Sequence, residues 1–142
     1  MALLNYTTKI DADKTVGEIA KMLSKNGAQA VLTEYDEVDS YVTALSFRIN
    51  VSGQLISFRL PSDWKPVLKV LESDNKVPRS LKHRDQAVRV AWRILKDWVE
   101  AQMALVQTRM VSTEQVFLPY AIMNDGKTLG ERFADSPKLL LS

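Results

Sequence analysis

The chain has no cysteine and one histidine, His83, among its 142 residues. Without cysteine there are no disulfides, no thiolate zinc sites and no cysteine nucleophile, which fits a reducing compartment. A lone histidine in a polar, basic stretch argues against a transition-metal site. A Ser-His-Asp triad would have to use His83, and the Gly-x-Ser-x-Gly elbow of such enzymes is missing. No apolar run approaches the roughly 18 residues of a membrane span. The opening MALLNYTTKI lacks the basic start and long apolar stretch of a signal peptide. A cytoplasmic location without membrane partners is therefore expected. The formal net charge is only +2, so the molecule is not a polycation.

Acidic residues do not rescue a metal site. Asp11 with Asp13, and Asp36 with Glu37 and Asp39, lack the spacing and the glycine of an EF-hand loop, and read as solvated turns. The segment Ala121-Ile-Met-Asn-Asp-Gly126-Lys127-Thr128 approaches the phosphate-loop pattern G-x-x-x-x-G-K-[ST]. Alanine stands where its first glycine is required, Pro119 spoils the preceding strand, and too little chain follows for parallel α/β layers. An Asp-Gly turn before a short helix is the better reading. The expectation is a non-enzymatic protein with no cofactor and no metal.

What is present is a globular pattern: 46% hydrophobic and 25% charged residues, enough for one domain over residues 1–142 with a real core. The dominant stretch is Arg84 to Met110, free of Gly and Pro and rich in helix formers. Ala87, Ala91, Ile94, Trp98, Ala101 and Leu105 recur at helical spacing, with Val88, Leu95, Val99 and Val106 widening the stripe. Gln86, Arg89, Arg93, Lys96, Asp97 and Glu100 form the opposite, polar side. The pairs Asp85–Arg89, Arg93–Asp97 and Lys96–Glu100 are spaced to bond within the helix.

Upstream, Leu3–Ile10 reads as a strand. Thr15-Val-Gly-Glu18 has capping-box spacing before a helix with Val16, Ile19, Ala20 and Leu23 on one face, stopped by Asn26-Gly27. Gln29–Tyr35, Tyr41–Ile49 and Gln54–Leu60 read as strands, the last two joined near Ser52-Gly53. Leu45, Phe47 and Ile49 alternate with Arg48, as Ile56, Phe58 and Leu60 do with Arg59, so both arginines point away from the core. Ser62 is the expected cap of a short helix anchored by Val67, Leu68 and Leu71. Val116–Tyr120, with Pro119 inside it, reads as an edge strand or extended arm. Lys127–Ala134 is a last short helix, and KLLLS a tail that docks or frays. The order predicts an α+β fold: a small antiparallel sheet packed by the long helix. The width of the long helix's stripe leaves two options, a homodimer or cover by the C-terminal arm.

Charge is unevenly spread. Residues 1–40 sum to −3, whereas residues 76–93 carry Lys76, Arg79, Lys82, Arg84, Arg89 and Arg93 against Asp85 alone, a sum of +5. A basic loop running into a helix with two arginines is a candidate phosphate track. The expected nucleic-acid contacts are Arg79, Lys82, Arg84, Arg89 and Arg93, with Arg48 and Arg59 as a second group. Trp64, Trp92 and Trp98 sit among apolar positions and are expected to fill the core rather than stack bases. Two alternatives stay open. Phe117 and Tyr120 on an exposed arm would mark an interaction module for a host protein. The same arginines, placed between two subunits, would take a nucleotide-like small molecule.

The stretches KTVGEI (14–19), FRLP (58–61), AVRVAWRILKDWVEAQMAL (87–105), VFLPY (116–120) and GKTL (126–129) resemble a family of small hypothetical proteins of bacteriophages and other bacterial mobile elements. The resemblance implies a phage setting and no particular activity. By analogy, phage proteins of this size are replication or recombination accessories or inhibitors of host defence. The order of elements in residues 14–72 is also similar to the double-stranded-RNA-binding domain. The basic cluster which that domain needs at the start of its second helix is here Ser62-Asp-Trp-Lys65, with one lysine.

Overall fold

The structure, a computed structural model, describes residues 2–140, with side chains up to residue 138. The predicted α+β plan is what it shows: a three-stranded antiparallel sheet with a long helix packed on one face. Helix α1 spans Ala12–Lys25 and buries Val16, Ile19 and Leu23. It starts a turn earlier than the Thr15 cap predicts, because Ala12 extends the same apolar face onto the core. Thr15 is instead a buried residue inside the helix, its hydroxyl donating to the carbonyl of Asp11 at 3.4 Å. Gly27, at φ 105°, closes the helix end in the left-handed region.

Strands β1 (Ala30–Tyr35), β2 (Val42–Val51) and β3 (Gln54–Pro61) pair in the order β1-β2-β3. Ser52 and Gly53 both have positive φ, the backbone twist that a two-residue hairpin turn requires. The inner face carries Leu45, Phe47, Ile49, Phe58 and Leu60, all buried. A register shift at Glu34/Tyr35 bends the far end of β1. The acidic turn then closes on itself, the Asp36 carboxylate accepting from the backbone N–H groups of Val38 and Asp39.

Helix α2 (Trp64–Ser73) is capped by Asp63, not Ser62: the Asp63 carboxylate accepts from the Lys65 N–H at 3.1 Å. Leu71 is fully buried with Val77 and Ala87 in a second, smaller core under α2, packed by Val67 and Leu68. Val77, in the basic loop before α3, gives that loop an apolar anchor in this core. Helix α3 spans Arg84–Gln107, with His83 as its cap; the His83 Nδ1 accepts from the Gln86 N–H at 3.2 Å.

The buried positions of α3 are not the predicted stripe alone. Val88, Trp92, Val99 and Met103 form the seam on the main core, Ala87 faces the second core, and Ala101 is exposed. Nor is the polar side free. Gln86 is buried, and residues 3–10 fold across it as turns instead of the expected strand: Tyr6 N–H donates to Leu3, Thr8 N–H to Asn5, and Asn5 takes φ 66°. The Gln86 amide donates to the carbonyls of Tyr6 and Thr8, at 2.9 and 3.0 Å, and so does the work a neighbouring strand would have done.

The C-terminal part departs furthest from expectation. Val116–Tyr120 is helical: α4 (Thr113–Phe117) followed by a 3₁₀ turn, Leu118–Tyr120. Ser112 and Gln115 form a capping box that starts it, and Pro119 lies in the first residues of the 3₁₀ turn, where its missing N–H is harmless. The extended piece comes just after. The Ile122 N–H donates to Ser57 at 2.8 Å and so covers the outer edge of β3. Helix α5 (Leu129–Asp135) then rests on the 3₁₀ turn so closely that a Cβ on Gly130 would meet the Pro119 carbonyl at 2.9 Å. The tail begins as a 3₁₀ turn, Pro137–Leu140; the rest of KLLLS lies outside the described residues. Among the described residues no helix is long and apolar enough to cross a membrane.

Candidate nucleic-acid interface

The predicted cations are placed in three separate regions, not on one track. Arg79 and Lys82 flank the short turn before α3. Arg79 is exposed, and the Lys82 ammonium donates to the Glu72 carbonyl at 3.4 Å. Arg84 turns away from them. It bonds Asp39 at 2.6 Å, lies over the Tyr41 ring and ties the acidic turn to the start of α3. Arg48 and Arg59 sit on the outer face of the sheet, the side away from α3. There Arg59 bonds Glu34 at 2.8 Å across β2, while Arg48 is exposed and has no carboxylate within 4.0 Å among the described residues.

Arg89 and Arg93 share the side of α3 that faces the N-terminal segment and α1. Neither makes the i,i+4 pair that its spacing suggests. Arg89 donates to the Gln86 side-chain oxygen at 3.0 and 3.2 Å. Arg93 reaches across to Glu18 of α1 at 2.9 Å, and Asp97 accepts from Asn5 instead. Only Lys96–Glu100 forms as predicted.

This side nevertheless gathers positive charge, with partners the sequence reading overlooked. An open groove of about 410 Å³ runs between α1 and α3, lined by Glu18, Lys21, Met22, Lys25, Arg93 and Lys96. Its floor is made of two half-sunk cations, Arg93 and Lys96, whose side chains are 14% and 18% exposed. Lys21 and Lys25 stand exposed at the rim, with no carboxylate within 4.0 Å among the described residues. Four cations thus line the groove with one carboxylate, Glu18, which bonds Arg93, while Lys96 is paired with Glu100 beside it. Partial burial of the floor lowers the local dielectric and strengthens the attraction for an anion. The signal was in the sequence. Lys14, Lys21 and Lys25 fall on one side of α1 by helical spacing. The −3 total of residues 1–40 hides them, because most of its carboxylates lie outside the helix, in Glu34–Asp39.

Two other expectations resolve here. Phe117 is fully buried, edge-on to Phe47 and to Trp98, and Tyr120 packs half-buried against Trp98. The C-terminal arm therefore covers the leftover face of α3 within the chain, and Phe117 is a core residue, not a partner-facing one. Trp92 likewise fills the core, its indole N–H donating to the Val42 carbonyl at 3.0 Å. The near-match to a phosphate loop is a turn. The Thr128 hydroxyl and the Glu131 carboxylate form a capping box, and the N–H and hydroxyl of Thr128 hold that carboxyl below its usual range. The Lys127 ammonium bonds Asp135, which raises its pKa. Among the described residues no group of three or more His, Asp or Glu is placed to hold a metal ion.

No protein-family model, no curated protein and no solved structure matches the chain.

Proposed function

We propose that this chain is a non-enzymatic, phage-type accessory protein of the cytoplasm that binds nucleic acid, single-stranded DNA or structured RNA, through phosphates. The observation that carries this reading is the α1–α3 groove, where Arg93 and Lys96 form the floor and Lys21 and Lys25 the rim. Such a site reads charge rather than bases, so binding is insensitive to sequence and falls steeply with salt. Arg79 and Lys82, before α3, form a separate positive region outside this groove. Arg48 lies on the other side of the sheet, and Arg59 and Arg84 are held by carboxylates outside the groove. Within it Arg93 and Lys96 are paired with Glu18 and Glu100, so among the described residues the unpaired charges that meet a phosphate first are Lys21 and Lys25.

Fluorescence anisotropy of labelled single-stranded DNA and hairpin RNA at two ionic strengths tests the reading. The exposed pair Lys21→Glu and Lys25→Glu should abolish most low-salt binding. Lys21→Ala with Lys25→Ala should lower the salt slope by about 2, roughly one per lost phosphate contact. No binding of wild type at low salt, or a double variant that binds unchanged, ends the proposal. Displacement by a mononucleotide at equal phosphate concentration would move it to a small-molecule site.

A further inference from the structure

The two edges of the sheet are treated differently. The outer edge of β3 is closed by Ile122. The outer edge of β1 pairs with no strand among the described residues, and β1 reads Ala-Val-Leu-Thr-Glu-Tyr, without lysine or proline. Its one charge, Glu34, and its one irregularity, at Glu34/Tyr35, lie at the far end and leave Ala30–Thr33 a regular, uncharged edge. Leu32 is 65% exposed and Tyr35 57% exposed at this edge. We propose that the free edge of β1 pairs antiparallel with β1 of a second copy of this chain, joining two sheets into one of six strands.

Charge selects the partner and the register. A symmetric antiparallel pair of β1 strands can centre on Val31, Leu32, Thr33 or Glu34. Centring on Val31 pairs only Ala30 to Leu32, fewer residues than centring on Leu32, and leaves Glu34 outside the contact. Centring on Glu34 sets two carboxylates against each other, and centring on Thr33 sets Leu32 against Glu34; both are unfavourable. Centring on Leu32 sets Leu32 on Leu32, Val31 beside Thr33, and Glu34 beside Ala30. Ala30 is paired within its own sheet with Arg48, the exposed arginine without a carboxylate partner. In the joined sheet Arg48 of each copy then faces Glu34 of the other across the small Ala30 side chain. The span is two strand spacings, about 10 Å between backbones. The same sheet already shows such a reach, since Arg59 bonds the same Glu34 across β2 at 2.8 Å. A carboxylate has lone pairs for both guanidinium groups. The contact is self-complementary, as a twofold interface must be.

The inference stands apart from the nucleic-acid reading, because Leu32 and Arg48 lie on the face of the sheet away from the α1–α3 groove. Sedimentation equilibrium of the full chain, from low micromolar to submillimolar concentration, decides it. Wild type should dimerise. Leu32→Lys and Arg48→Glu, both at exposed positions, should each raise the dimer dissociation constant by about tenfold or more, as loss of a central contact does. Adding Glu34→Lys to Arg48→Glu should restore part of the loss. A wild type that remains monomeric throughout overturns the proposal. So does a dimer that neither Leu32→Lys nor Arg48→Glu weakens.

Discussion

On its sheet side, α3 buries Trp92, Val99 and Met103 against Phe47, Phe58 and the α1 residues of the main core. On its other side it is covered as well, by polar contacts. Gln86 holds the carbonyls of residues 6 and 8, Asp97 holds Asn5, and Arg93 holds Glu18. The first face gains free energy by removing apolar area from water, at roughly 25 cal/mol per Å². The second gains little net energy per bond, about 1 kcal/mol, but leaves costly unpaired groups if a bond is lost. The difference teaches that the sheet side determines how stable the fold is and, through Val16, Ile19 and Leu23, where α1 sits, while the polar side holds the N-terminal segment and adds the Arg93–Glu18 tie to α1. It is that placement of α1 which brings its lysines beside Arg93 and Lys96.

The largest effect should come from the sheet side. Trp92 is fully buried and also bonds Val42. Trp92→Ala should cost about 3–5 kcal/mol through cavity and lost transfer energy, with the Val42 carbonyl left to find a new donor. Urea denaturation followed by circular dichroism measures it. A loss below about 1 kcal/mol would show that the main core does not depend on this ring and would undo the comparison.

A middle effect belongs to Gln86. Gln86→Leu keeps the volume but removes both donors to Tyr6 and Thr8 and the acceptor for Arg89. The expected loss is about 1–3 kcal/mol, less than for Trp92 because residues 3–10 lie near solvent and water can replace part of the pairing. Amide exchange localises it: protection should fall in residues 5–10 and change little in β2. Uniform loss over the whole chain would mean that Gln86 serves the main core rather than the segment above it.

The same contrast explains what was legible in the sequence. Strands β2 and β3 show period-two alternation with one apolar face, and their turn has two residues suited to it; both were readable. Helix α3 was readable in length and in its Val88–Val99 seam, because apolar periodicity reports burial against a sheet. Its polar side was not, since spacing within a helix suggests partners only in that helix. Arg93 and Asp97 are four apart, yet their partners are Glu18 and Asn5, 75 and 92 residues away in sequence. Val116–Tyr120 misled for a local reason: a proline in an apolar run fits an edge strand, and fits equally well the first turn of a 3₁₀ helix. Leu3–Ile10 misled because β-favouring residues there cannot show that a glutamine from α3 takes up their backbone groups. Of the candidate site, Arg93 was legible, whereas Lys96, read only as the partner of Glu100, and the α1 lysines were not, because charge was summed over a segment rather than over a helix face.

The smallest change to the fold should come from Glu18→Gln, and it sets stability against binding. Glu18 accepts from Arg93 at 2.9 Å and is itself about one-third exposed, its side chain 35% accessible. The pair lies between a surface ion pair and a buried one. Glutamine keeps an acceptor for the guanidinium, so the fold should lose about 1 kcal/mol or less. In the groove the same substitution removes the one lining carboxylate among Lys21, Lys25, Arg93 and Lys96. The Arg93 guanidinium is freed to meet a phosphate, and repulsion of the polyanion is relieved. Affinity for single-stranded DNA should therefore rise a few-fold at low salt, and the gain should shrink as salt shortens the reach of each charge to about 8 Å at physiological ionic strength. Melting and anisotropy on the same preparation give the two readings with opposite signs. If affinity stays level while stability drops, Glu18 and Arg93 serve only the joint between α1 and α3, and the phosphate path must lie elsewhere on the surface.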